Sequence, residues 1–201
     1  MMSTMSSCKI VVSFILSFSL VAVMSLASGR NTLQGHNAAN KLDTTATSCL
    51  FDFERGEIPN CLRLLAGGDL FIAPHVVRQL HFDSYYGLAP VFSRVNGWMY
   101  VSRKGKAVVR DVPTVDNGPD LFHDGLVRVL SHQKYGFANR KGQLVIPLTY
   151  DGAINFDNGK AKVCKGCESK CSGADCERHV FAGGEWFQID TQGTIVGRIQ
   201  P

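Results

Sequence analysis

The sequence carries almost no excess of either charge, with 21 Lys and Arg against 17 Asp and Glu, which excludes partner capture by bulk electrostatics. Nucleic-acid binding is therefore not expected. Short reactive motifs are missing as well: there is no Gly-x-Ser-x-Gly, no His-Glu-x-x-His, no phosphate loop and no dinucleotide fingerprint. Their absence removes the commonest hydrolase, metalloprotease and nucleotide chemistries. His81 with Asp83, or His123 with Asp124, could in principle form an acid–base pair, but neither accompanies a nucleophile motif. On adjacent strand positions, His123 and Asp124 would also point to opposite faces. The chain is expected to be no enzyme, with no catalytic residue and no cofactor. Proline is scarce too, at 7 against 20 glycines in a chain rich in Val, Phe, Ile and Tyr, a balance that favours short strands and tight turns over long helices.

One basic residue, Lys9, precedes an apolar run from Ile10 to Leu26 broken only by serines, the layout of a secretory signal. Small residues permit cleavage after Ala27 or Gly29, so residues 1–29 read as a signal peptide. The alternative is an uncleaved anchor, because the run is near the ~17-residue lower limit for spanning a bilayer. No cysteine follows the small residues, which argues against a lipid-anchored form. Residues 30–47 are rich in Asn, Thr, Ala and Gly and read as a flexible polar linker. A periplasmic or secreted protein with no stable membrane insertion after cleavage is expected.

Three later segments come into register on Trp98, Tyr135 and Trp186, each of which stands seven residues before a glycine: Gly105, Gly142 and Gly193. Each anchor opens a strand that runs into a polar turn, where glycine accepts the positive φ a tight turn requires. Apolar pairs follow as the returning strand: Val108-Val109, Val145-Ile146 and Ile195-Val196. Upstream, Gly87, Gly125 and Gly159 are each followed four residues later by Val91, Val129 and Val163, and preceded by Phe82, Phe122 and Phe156. Alternation in Leu126-Val127-Arg128-Val129 and Lys160-Ala161-Lys162-Val163 places Arg128, Lys160 and Lys162 towards water. A unit of three strands cannot cover its own apolar face and must stack on the next. The expected fold is all-β, an array of antiparallel hairpin or meander repeats over residues 82–201. Residues 48–81 read as an N-terminal cap or a degenerate repeat.

These residues resemble the WG-repeat (KWG) family. The middle copy carries the resemblance in Phe122, Gly125, Leu126, Val129, Lys134, Tyr135, Gly136, Phe137, Lys141, Gly142, Val145, Ile146, Pro147, Tyr150 and Asp151. It extends over about Phe82 to Val196. The outer copies depart from it at Met99 and Phe187, which stand where the family has glycine after the anchor. Membership implies a β-rich interaction module of a bacterial envelope, whose partner would be an unknown protein or an envelope polymer, and it carries over no catalytic residue.

Cys8 leaves with the signal, and the remaining Cys49, Cys61, Cys164, Cys167, Cys171 and Cys176 form an even set that suits disulfides in an exported chain. Four of them sit in an insertion at 164–180. Nested bridges Cys164–Cys176 and Cys167–Cys171 would tie that loop, leaving Cys49 with Cys61. A zinc site from Cys164, Cys167, Cys171, Cys176 and His179 is the alternative. A thioredoxin-like pair at Cys164 and Cys167 lacks the strand-to-helix context that lowers a thiol pKa. Tyr85, Tyr86, Trp98 and Tyr100 are expected to pack in the core rather than form a ligand platform. Basic residues at the turns (Arg94, Arg103, Lys104, Lys106, Arg110, Arg128, Lys134, Arg140, Lys141) make either a positive edge for anionic partners or ordinary solvated positions.

Overall fold

The structure is a computed structural model that describes residues 43–50, 56–116, 118–172 and 178–200. The expected signal peptide at 1–29 and residues 30–42 of the expected linker lie outside the described residues. The chain enters as β1 (Asp43–Leu50), β2 (Ile58–Leu64) and β3 (Leu70–Ile72), followed by a short helix α1 (Pro74–Val77). Residues 43–47, expected as linker, are thus part of a strand. Next come β4 (Leu88–Ser93), β5 (Gly97–Ser102) and β6 (Ala107–Val112), then the small hairpin of β7 (Thr114–Val115) and β8 (Gly118–Pro119). A second meander follows as β9 (Leu126–Ser131), β10 (Lys134–Asn139) and β11 (Leu144–Tyr150). The last part holds β12 (Gly152–Ala153), β13 (Lys160–Lys165), β14 (Glu168–Ser172), β15 (Arg178–Ala182), β16 (Glu185–Asp190) and β17 (Ile195–Ile199). The architecture is almost wholly antiparallel β. Among the described residues, no helix is long and apolar enough to cross a membrane.

Strand order is β3-β2-β1-β4-β5-β6 in the first sheet, β11-β10-β9 in the second and β12-β13-β16-β17 in the third. The first sheet also meets itself, through an antiparallel bridge between Phe71 and Lys106 and a 2.8 Å hydrogen bond from Ile72 N–H to the Gly105 carbonyl. Such closure removes two exposed edges. Inside it pack Cys61, Leu62, Val76, Val91, Met99 and Val101, all essentially inaccessible to water.

Strand alternation sends successive side chains to opposite faces, so each central strand supplies two cores. In β5, Met99 and Val101 face the first core, whereas Trp98 and Tyr100 join Val127, Val129 and Ala138 in a second one between the first and second meanders. In β10, Ala138 faces back into that second core while Phe137 faces forward with Phe156, Val163 and Ile189. Trp186 in β16 faces forward again, onto Cys164, Cys167, Phe181 and Ile199. Three meanders therefore stack through successive apolar layers, and the hairpin of β14 and β15 supplies Phe181 to the last one.

The turns explain the glycines. Gly105 N–H bonds to the Ser102 carbonyl, Gly142 N–H to Asn139 and Gly193 N–H to Asp190, and a fourth turn of the same pattern joins Gly68 N–H to Leu65. A Cβ on Gly142 would stand 2.0 Å from the Val108 carbonyl oxygen of the preceding meander. These glycines thus serve turn conformation and stacking together. The fourth turn connects β2 to β3, so the leading residues share the hairpin geometry of the later ones. This hairpin turns Leu62, Leu70 and Ile72 into the first core.

Candidate functional site

The seams between meanders are built from equivalent residues, and they are not equally closed. In the seam between second and third meanders, Phe137 and Phe156 meet edge to face at 4.8 Å, and Phe156 is buried. The equivalent pair in the earlier seam, Tyr100 and Phe122, lies at 5.0 Å, but Phe122 remains partly exposed. The difference traces to the turn before each strand. Asp124 and Asn158 both adopt positive φ just before their glycine, a conformation that Asn and Asp tolerate. Asp124 Oδ2 also accepts a 2.7 Å hydrogen bond from Gly159 N–H, which ties that turn to the next.

Tyr86 occupies the corresponding place in the first copy. Its turn is held differently: Asp83 Oδ1 accepts from the N–H groups of Tyr85 and Tyr86 at 2.8 and 2.6 Å. The Tyr86 ring is thereby free to stack on Phe122 at 5.0 Å, with Tyr85 set edge-on to it at 4.8 Å. Tyr86 and Phe122, together with His81, Phe82, Asp83, Leu88, Pro90 and Tyr100, line a groove of about 410 Å³. Tyr85 and Leu121 beside it are 76 % and 61 % exposed. On the other side of Tyr86 the groove meets a polar depression formed by Asp124, Asn139, Arg140 and Lys141. Tyr100 donates to the Asp120 carbonyl oxygen at 2.8 Å, and burial, with the nearby Asp120 and Asp83 charges, raises its pKa and keeps the phenol protonated.

Of the four aromatics expected in the core, Trp98 and Tyr100 are buried, whereas Tyr85 is exposed and Tyr86 lines the groove. The sequence contained a usable signal, an aromatic where the two other copies have Asp124 and Asn158. Among the anchors, Trp98 and Trp186 are buried, and Trp186 Nε1 donates to the Gly183 carbonyl at 2.9 Å. Tyr135 is only half-buried, edge-on to Phe181 at 5.5 Å, and burial raises its phenol pKa. Gly105, Gly142 and Gly193 all take positive φ.

In the two His–Asp pairs, Asp83 Oδ1 and Asp124 Oδ2 each accept hydrogen bonds from backbone N–H groups of their own or the next turn. Several of the basic turn residues have partners within the chain. Arg94 pairs with Glu57, Lys106 with Asp69 and Lys134 with Asp151, while Arg110 donates to the Gly68 carbonyl. Arg103 lies over the Phe82 ring at 4.8 Å. Arg128, expected to face water, is instead inside the stack: Nε donates to Asp120 Oδ2 at 2.8 Å and Nη1 to the Ala153 carbonyl at 2.7 Å. Asp120 is 1 % exposed and would be a buried lone charge without it. Lys134 and the Gly166 N–H, by bonding to the Asp151 carboxylate, hold its pKa below the ordinary value.

The cysteines pair as Cys49–Cys61 and Cys164–Cys167, each with Cα atoms 5.9 Å apart. The nested arrangement Cys164–Cys176 and Cys167–Cys171 is corrected by the fold: Cys164 and Cys167 are buried together beside Trp186, whereas Cys171 is exposed on β14 opposite His179. Cys171 is disulfide-bonded, and Cys176 lies outside the described residues. Oxidised sulfur offers no thiolate to a metal. Although Cys171 Sγ stands 3.9 Å from His179 Nε2, no group of three His, Cys, Asp or Glu side chains among the described residues could hold an ion. The zinc alternative at Cys164, Cys167, Cys171, Cys176 and His179 is therefore not assembled among the described residues, which leave out Cys176.

A strand with glycine after its aromatic anchor, a Lys-Gly turn and the returning Val-Ile-Pro strand come together in β10 and β11. Residues 135–166 match the family of WG containing repeats. The matched WG repeat begins at the anchor Tyr135 and ends in the turn that the Cys164–Cys167 bridge closes. It includes Gly136, where a Cβ would stand 2.5 Å from the Ile146 carbonyl oxygen, because β11 bulges over β10 between Phe137 and Tyr135. Met99 and Phe187 are tolerated at the equivalent places since their return strands do not fold over in that way: β5 and β6 shift register less, and Phe187 pairs regularly with Arg198. No curated protein and no solved structure matches the chain.

Proposed function

We propose that this chain is an exported, non-catalytic WG-repeat protein of the bacterial envelope, acting as a binding module for a protein or an envelope polymer. In this reading, residues 48–81 serve as a degenerate leading repeat, residues 82–201 form the repeat array, and the Cys-rich insertion caps its far end over Trp186. The observation that carries the binding role is the groove at the first seam, where Tyr86 and Phe122 stay partly open to water while the equivalent later seam is closed. Apolar lining with few polar groups is what a binding site presents. Cysteines joined within short distances support an oxidising compartment.

Expression of the full chain in a bacterium, followed by fractionation and intact mass without reductant, tests the export half of this reading. The expected product begins near Ser28 or Arg30, is released by osmotic shock and has no free thiol among its six mature cysteines. Intact Met1 in carbonate-washed membranes, or free thiols with one bound zinc per chain, would overturn it.

A further inference from the structure

We propose that a cavity of about 510 Å³ between the β7–β8 and β14–β15 hairpins binds a neutral oligosaccharide. The inference rests on the binding-module reading, adds a site apart from the first-seam groove and names the class of ligand. Its starting point is the second anchor. Trp98 and Trp186 are buried, and Trp186 Nε1 is spent on the Gly183 carbonyl, whereas Tyr135 is half-buried and lines the cavity. The Tyr135 phenol has no hydrogen-bond partner among the described residues, and burial raises its pKa, which keeps the proton on it. A tyrosine where the other copies carry tryptophan thus leaves a hydrogen-bond donor at a cleft of the size that small ligands fill.

Charges around the cavity select a neutral ligand. Arg128, which also lines it, spends Nε and one N–H of each Nη on the Asp120 carboxylate and the Ala153 carbonyl. Its charge is thereby matched, and a second N–H remains on each Nη. Alternation along β14 and β15 puts Ser169, Cys171, His179 and Phe181 on one face, and Glu168, Lys170 and Arg178 on the other. Because Ser169, His179 and Phe181 line the cavity, that hairpin offers it no lysine, arginine or carboxylate. The β7–β8 side supplies Asp116, exposed and in no ion pair among the described residues. An anion therefore meets no unmatched cation here, and a single exposed carboxylate holds a cation only weakly. What remains is a mixture of the Tyr135, Ser169 and Thr114 hydroxyls, the Arg128 N–H groups and the Asp116 acceptor, beside the apolar carbons of Pro113 and Val115. Sugar hydroxyls both donate and accept, and the C–H groups between them pack on such carbons. An extended peptide docks through apolar pockets or a strand edge, and a hydroxyl-rich lining serves neither.

Saturation-transfer NMR titrations on the mature, oxidised protein would use three neutral probes, maltotetraose, cellotetraose and chitotetraose, and the anionic tetragalacturonate. At least one neutral tetrasaccharide is expected to bind, with tetragalacturonate at least about tenfold weaker. Tyr135→Phe removes only the hydroxyl, so it should weaken the neutral sugar by about three- to tenfold while thermal unfolding is unaltered. Asp116→Asn, which suits the positive φ of that turn residue, should narrow the gap between the neutral and anionic sugars. Tyr86→Leu, at the separate groove, should leave sugar binding unchanged. Binding of none of the neutral probes at about 10 mM, equal or tighter binding of tetragalacturonate, or binding indifferent to Tyr135→Phe would overturn the proposal. Binding lost in Tyr86→Leu but kept in Tyr135→Phe would overturn this site and leave the binding-module reading standing. Cleavage of the bound tetrasaccharide, lost in Tyr135→Phe, would uphold the site and overturn the non-catalytic reading.

Discussion

Individual residues in this chain are specified by what stands next to them after folding. Gly136 is the clearest case, since its missing side chain leaves room for the backbone of Ile146, Pro147 and Leu148, all within 3.0 Å of a built Cβ. Backbone cannot swing aside as a flexible side chain can, so Gly136→Ala should destabilise the protein by about 1–3 kcal/mol, as overpacking does. Gly197→Ala, with nothing within 4 Å, should change it by less than about 0.5 kcal/mol. Urea melts of the two variants check this, and similar midpoints would show that β11 does not fold over β10. Tyr135 teaches the opposite lesson: the register marks it as an anchor, yet half its surface role is exchanged for contact with Phe181, so it is no equivalent of the buried Trp98.

Among the elements, the two disulfides of known pairing differ in the loop they close. Cys49–Cys61 spans a separation of 12 and staples β1 to β2 beside the first core, whereas Cys164–Cys167 spans 3 and pinches the end of β13. By the loop-closure argument their removal costs about 3 and about 2 kcal/mol respectively. Cys49→Ala with Cys61→Ala should therefore lower the guanidinium midpoint more than Cys164→Ala with Cys167→Ala. The reverse order would mean that the contact of the second bridge with Trp186 outweighs chain entropy. Lys165, Gly166 and Gly184 form the neck through which the β14 and β15 hairpin emerges, and a Cβ on Gly184 would meet the Lys165 carbonyl oxygen at 2.4 Å. The insertion is thus a hairpin set on a tight neck rather than a knot of nested bridges.

Across the whole molecule, apolar layers carry the stacking and one buried polar cluster links the meanders. Asp120 precedes β9, Arg128 lies in β9, and Asn155 and the Ala153 carbonyl come from the segment leading to β13; Asn155 Nδ2 donates to Asp120 Oδ1 at 2.9 Å. Tyr100 of the first meander reaches the same Asp120 through its main chain. Breaking a buried pair strands its partner, so Arg128→Ala should cost about 3–5 kcal/mol, whereas the exposed Arg140→Ala should be nearly silent. Thermal melts at neutral pH measure both. A small loss for Arg128→Ala would mean that Asp120 is solvated by another route.

The residues by themselves determined the β class, the three-strand unit, its turns and the lengths between copies, because alternation and glycine spacing are local properties that follow from φ, ψ and burial on one face. They also marked Cys49 and Cys61 as partners, with few other choices between them. Only the tertiary structure decided which face of each strand meets which neighbour, and hence that Arg128 points inward to Asp120 while Tyr86 lines an open seam. It likewise decided that Cys164 joins Cys167, since that choice depends on which sulfurs are brought under Trp186. Pairings and seams of this kind arise between segments far apart in the chain, where register and stacking distance, rather than local propensity, set the contact.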